Sequence, residues 1–153
     1  MHSKISISKK LEERVKELSC LYGVSSAIRK HADSILETLE EICNITQHAW
    51  LFPNEAVVQM KLNNFQVETA DLPKKYIVQT SEILLFNENK GFIKVYYDIN
   101  KLPGAYFLEE EQKLLDKIAI EISEFFDRRE IENNKELLQR SAERNDRLSI
   151  LGE

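Results

Sequence analysis

Proline and glycine are both scarce in this chain of 153 residues, with three of the first and four of the second, and no two glycines stand together. A loop that cradles phosphate needs closely set glycines, so that route to nucleotide chemistry is closed. Cysteine occurs twice, as Cys20 and Cys43, without metal-ligand spacing. Two buried thiols on helices are expected rather than a disulfide, in keeping with a reducing compartment. Long apolar runs are missing: Ile83-Leu84-Leu85-Phe86 is among the longest, whereas a membrane-spanning helix needs ~20 residues. No apolar run follows the lysines of residues 1–10, so the N-terminus does not read as a secretory signal. There is also no basic block. Twenty-one basic residues stand against 26 acidic ones, a net charge of -5, which argues against nucleic acid as a partner. The expectation is a cytoplasmic protein with neither nucleic-acid nor membrane partners.

The length suits one domain with additions. Hydrophobic residues make up 42%, enough for a core. Leu11, Val15, Leu18 and Tyr22 recur every three or four residues after Ser8, with charges between them, and predict an amphipathic helix. Leu21, Val24 and Ile28 widen the stripe, and Gly23 is a point for a kink. A second helix is predicted over residues 33–46, capped by Asp33 or Ser34 with Glu37 as capping-box partner. Ile35, Leu36, Leu39, Ile42 and Cys43 form its buried face. Pro53 then breaks the helical pattern.

Residues 56–98 switch to period two. Val57 to Leu62 and Phe65 to Thr69 form a hairpin across Asn63-Asn64. Tyr76 to Gln79 reads as a short edge strand. Ser81 to Phe86 and Phe92 to Tyr97 flank a connection over residues 87–91, for which Gly91 supplies a positive φ. Ile93, Val95 and Tyr97 share one face. The fold class is therefore α/β in the α+β sense, an antiparallel sheet flanked by helices.

From Glu109 to Leu151 neither glycine nor proline interrupts the helical period. More than forty such residues far exceed the usual ~11–12-residue helix and predict a coiled coil leaving the body. Ile131, Asn134, Leu138, Ser141, Asn145 and Leu148 form its half-polar seam, which trades stability for register. Leu11, Leu18, Ile122, Phe125, Leu138 and Asn145 are the expected homodimer residues.

Four segments carry a family resemblance. They are residues 14–25, beginning Arg14-Val15-Lys16-Glu17; Trp50-Leu51-Phe52-Pro53; Gly91-Phe92-Ile93-Lys94-Val95-Tyr96-Tyr97; and Phe107-Leu108-Glu109-Glu110-Glu111 through Ile118-Ala119. In this order the chain resembles GAF-type sensor domains. Such domains stand ahead of bacterial and archaeal sensor histidine kinases and occur in proteins like phosphoenolpyruvate synthase and pyruvate phosphate dikinase. The sequence departs from them at two loops, where Asn54 follows Pro53 and Ala105-Tyr106 follow Gly104.

The resemblance implies three parts: an N-terminal helix over 1–32, a GAF-like domain over 33–126, and a signalling coiled-coil helix over 127–153. It implies a non-catalytic sensory domain, dimeric, acting in signal transduction on a C-terminal output such as a kinase transmitter. Residues 147–153, Arg147-Leu148-Ser149-Ile150-Leu151-Gly152-Glu153, look like the helix ahead of a phospho-accepting histidine, which would make this the input half. The alternatives are a regulatory dimerisation domain of a phosphotransferase-type enzyme, or a scaffold without ligand. The residue sets that mark cyclic-nucleotide and bilin binding in the family are not recognisable here.

No cofactor, metal ligand set or catalytic group is expected. His31 and His48 stand on different elements, and neither cysteine has a partner histidine. Glu109, Glu110 and Glu111 read as a charge cluster at a helix start. The aromatic residues Trp50, Phe52, Phe65, Tyr76, Phe86 and Tyr96 are the expected lining of a pocket for an unidentified small molecule. Residues 70–80, with Pro73 and Lys74-Lys75, are its expected lid.

Overall fold

The computed structural model describes the backbone of residues 2–31 and 33–151, and the side chains of 8–31 and 33–143. Its elements are α1 (His2–Lys30), α2 (Ile35–Ala49), β1 (Ala56–Leu62), β2 (Phe65–Glu68), β3 (Tyr76–Leu85), β4 (Glu88–Asp98) and α3 (Glu109–Leu151). The four strands form one antiparallel sheet in the order β2-β1-β4-β3. Helices α2 and α3 cover one face of it, and α1 lies across both of them. No helix among the described residues is long and apolar enough to cross a membrane.

Period-two alternation sets the sheet faces. Val58, Met60, Leu62, Ile83, Ile93, Val95 and Tyr97 point into the core. Opposite them Gln59, Lys61, Lys94 and Tyr96 occupy the other face. The expected edge strand and its successor are a single strand, β3, so Tyr76 to Thr80 are sheet rather than lid. The β3–β4 turn lies at Phe86-Asn87, where φ is 51° and 65°. That pair of positive φ angles suits a tight two-residue hairpin.

Gly91 therefore lies within β4, and no positive φ is needed there. Its role is steric, since a Cβ at this position would stand 1.9 Å from the Lys61 carbonyl oxygen. The register slips between Ile83 and Leu84, opposite Lys90. The Lys90 carbonyl accepts a hydrogen bond from the Asn63 amide in the β1–β2 turn. The bulge thus ties the two hairpins together at one end of the sheet.

Helix α1 is continuous through Gly23 and starts earlier than its apolar pattern. The missing side chain at Gly23 admits α2: a Cβ there would lie 3.2 Å from Ile45. Cys20, Val24 and Ala27, all small, form the buried face. Helix α2 starts from Ser34, whose hydroxyl accepts the Glu37 amide. The Glu37 carboxylate does not close the box; it lies 3.3 Å from His31 Nδ1, and Glu41 meets the other ring nitrogen. Leu36, expected inside, is exposed, while Thr38 and Thr46 are buried with their hydroxyls bonded to helix carbonyls.

Both cysteines are free and buried. Burial pushes each thiol up to about 12. At neutral pH the native chain should react with a thiol-specific disulfide reagent only as fast as it opens, whereas both thiols should react at once in denaturant. Fast native labelling of Cys20 or Cys43 would contradict this packing.

Candidate functional site

The six aromatic residues do not meet in one place. Trp50 is buried at the end of α2 and donates from Nε1 to Gln79 Oε1 at 3.0 Å. Phe52 sits nearby, edge-on to Tyr97 at 5.6 Å and to Tyr106 at 6.0 Å. Its amide donates to the Tyr97 hydroxyl. Phe65 packs partly buried against the core from β2. Phe86 is exposed at the hairpin tip. Only Tyr76 and Tyr96 pair on the outer sheet face, edge-on at 4.9 Å.

The single expected pocket is thus replaced by core packing and a surface pair. The reason is that Trp50, Phe52 and Phe65 lie on the helix-covered side while Tyr76 and Tyr96 alternate to the other side. The Tyr76–Tyr96 pair belongs to a hydrogen-bond chain. The Tyr96 hydroxyl donates to Gln59 Oε1 at 2.8 Å, and Gln59 Nε2 donates to Glu68 Oε1 at 3.1 Å. Gln66 Nε2 donates to the same oxygen. Burial raises the Tyr96 phenol, with Tyr76 and Glu68 adding to it. Only seven residues, 69–75, connect β2 to β3.

The expected dimer residues divide by burial. Leu11, Leu18 and Leu138 are exposed by 60%, 58% and 71%. Ile122 is the exception, 1% exposed in the core of its own chain. Phe125 packs partly buried against that core and edge-on to Phe126. The side chains of Asn145 and Leu148 lie outside the described residues.

Val15 and Tyr22, exposed by 61% and 72%, complete the stripe begun by Leu11 and Leu18. Helix α1 is therefore apolar on two opposite sides, one facing its own chain and one facing out. Glu17 pairs with Lys117, and Ser25 donates to Glu121. Both contacts advance together along α1 and α3, so the two helices run in the same direction.

Helix α3 is fastened to β3 at two points and to the β3–β4 turn at a third. Gln112 Nε2 donates to the Thr80 carbonyl at 3.1 Å, and Ser81 donates to Asp116 at 2.8 Å. The Phe86 amide donates to Asp127 Oδ1 at 3.2 Å. The last of these stands where the helix leaves the body. Beyond it, every described side chain from 130 to 143 is exposed.

Glu111, read from sequence only as part of a helix-start charge cluster, has a role of its own. It is 5% exposed, unlike its neighbours Glu109 and Glu110. One carboxylate oxygen accepts the Leu108 amide at 2.7 Å and the other the Leu51 amide at 2.9 Å. The first is the returning half of a capping box, formed here without the Ser, Thr, Asp or Asn at the cap that would have announced it in the sequence. The second bond, spanning sixty residues, had no local signal.

Comparison with protein-family models and with curated proteins finds no match for this chain. Among the described residues, no group of His, Cys, Asp and Glu is arranged to hold a metal ion.

Proposed function

We propose that this chain is a non-catalytic sensory or regulatory domain, GAF-like in kind, that pairs with a second copy and conveys changes in the sheet body to its C-terminal helix. The observation that carries this reading is the doubly apolar α1. Leu11, Val15, Leu18 and Tyr22 touch no core of their own and stand at seam spacing.

A parallel pair accounts for both exposed stripes. Since α1 and α3 run in the same direction, a two-fold axis along α1 sends both α3 helices out at the same end. Ile131 and Leu138, seven residues apart, then meet their counterparts in a coiled coil. An antiparallel pair would separate them. Burying one such side chain fully contributes at least ~1.5 kcal/mol, and association costs ~4–15 kcal/mol. Four side chains per copy therefore give a weak dimer, and the exit helices supply the rest. A seam of this strength can change its packing when a ligand or partner biases the body. The Phe86–Asp127 bond is the link by which the sheet holds the helix at its exit. The partner served by that helix is a kinase or phosphotransferase output in the cytoplasm.

Sedimentation at tens of micromolar tests the pairing. The wild type should sediment as twice 17.9 kDa. Leu18→Asp, and separately Leu138→Asp, should shift it toward monomer. The monomer's own stability should stay within ~0.5 kcal/mol, because these side chains are exposed in a single chain. A monomeric wild type removes the pairing. Unchanged hydrogen exchange over residues 124–135 in Asp127→Ala would remove the link from the relay.

A further inference from the structure

Beside the first turn of α3, where α1 passes over it, lies a groove of about 330 Å³. Leu51, Leu108 and Leu114, with Ala49 and Tyr106, provide its apolar lining, and Glu111 forms part of its wall. That volume falls at the small end of the ~300–1,000 Å³ typical of small-molecule sites.

The charge around the groove selects its occupant. A helix N-terminus ordinarily favours an anion, but here the chain's own Glu111 carboxylate fills that place. Each Glu111 oxygen accepts one backbone amide, and a carboxylate can accept about four hydrogen bonds in all. Acceptor capacity therefore remains on a carboxylate that is 95% buried. Glu12, Glu13, Glu17 and Glu110 also border the groove; Glu17 is paired with Lys117, while Glu13 and Glu110 add to the rise that burial causes in the Glu111 carboxyl. Lys9 and Lys16 border it from α1.

We propose that this groove binds a small organic amine, with its ammonium group hydrogen-bonded to Glu111 and its apolar body against Leu51, Leu108 and Leu114. The occupant bridges α1 and the start of α3, the two helices that carry the exposed stripes. The site deepens the regulatory reading by giving it an input. Binding is measured on the chain itself, so it succeeds or fails independently of the pairing.

n-Hexylamine is the probe, with 1-hexanol and hexanoate as isosteres lacking the positive charge. Trp50 is the only tryptophan, adjacent to Leu51, and reports occupancy by fluorescence in the full chain. Hexylamine should bind saturably and roughly tenfold or more tightly than either isostere, the ratio expected of a charge-assisted hydrogen bond. Glu111→Gln should abolish that preference. Because Glu111 also holds two backbone amides, Glu13→Gln serves as the second variant; it should weaken hexylamine several-fold and leave hexanol unchanged. Lys16→Gln should tighten hexylamine by removing a like charge. The proposal is overturned if hexanol or hexanoate binds as well as hexylamine, if no saturable change occurs, or if Glu13→Gln and Lys16→Gln leave hexylamine binding unmoved.

Discussion

Gly91→Ala should lower the melting temperature by roughly 6–12 °C. The new methyl carbon would meet the Lys61 carbonyl oxygen at 1.9 Å, the Lys61 carbonyl carbon at 2.9 Å and the Leu62 Cα at 3.0 Å. All three are backbone atoms of the neighbouring strand, so no side chain can swing away. Overpacking of this kind costs about 3 kcal/mol or more when the backbone must move, and each kcal/mol is worth ~2–4 °C in a chain of this size. Gly104→Ala is the contrasting case. Gly104 has φ of +78° with nothing within 4 Å of an added Cβ. Only conformational strain opposes that change, about 1 kcal/mol. Equal losses at the two positions, read from paired thermal melts, would show that no close strand approach exists at Gly91.

Glu111→Ala should cost about 2–4 kcal/mol in a urea titration, because it leaves the Leu51 and Leu108 amides without their acceptor. A loss below ~1 kcal/mol would place Glu111 among ordinary surface carboxylates. The pH dependence has a definite sign. Burial raises the Glu111 carboxyl above the usual 4.5, against the opposing pull of the Leu108 and Leu51 amides. The folded chain then holds the proton more tightly than the unfolded one, and stability falls as pH rises. The contribution is fully present below 4.5 and is lost as pH passes through the raised folded value. Glu121, also raised by burial, acts in the same sense. Subtracting the Glu111→Gln curve isolates Glu111: the wild type's stability relative to that variant should decline as pH rises from about 4.5 through the raised folded value. A flat or rising difference would contradict the burial of this carboxyl.

Elements whose pattern is local were readable from residues alone. Ile93, Val95 and Tyr97 alternate and are fully buried. Asn63-Asn64 makes the β1–β2 turn, with Asn63 at positive φ. Uninterrupted helical residues from Glu109 onward become one 43-residue helix. The misread places were those where two meanings fit one residue. Read from sequence, Tyr76 to Gln79 and Ser81 to Phe86 are two strands parted at Thr80, yet β3 runs straight through it, with Gln112 and Asp116 of α3 bonded to Thr80 and Ser81. A phenylalanine is a poor turn residue, so Phe86 at positive φ had no signal. The six aromatic residues are dispersed for a related reason: aromatic content says nothing of which side of a sheet each ring will occupy.

The sequence by itself determined the periods: helix, helix, paired strands, long helix, and apolar runs too short for a membrane-spanning helix. Periodicity needs only neighbours within a few residues, so it survives without tertiary knowledge. Only the tertiary structure decided which way each face turned. Helix α1 carries a large-residue stripe, Leu11 to Tyr22, and a small-residue stripe, Cys20 to Ala27. Hydrophobicity alone would bury the larger one. Close approach by α2, down to 3.2 Å between a Cβ at Gly23 and Ile45, admits only the smaller. Packing density outranked apolar area on this helix, and the larger stripe was left outside.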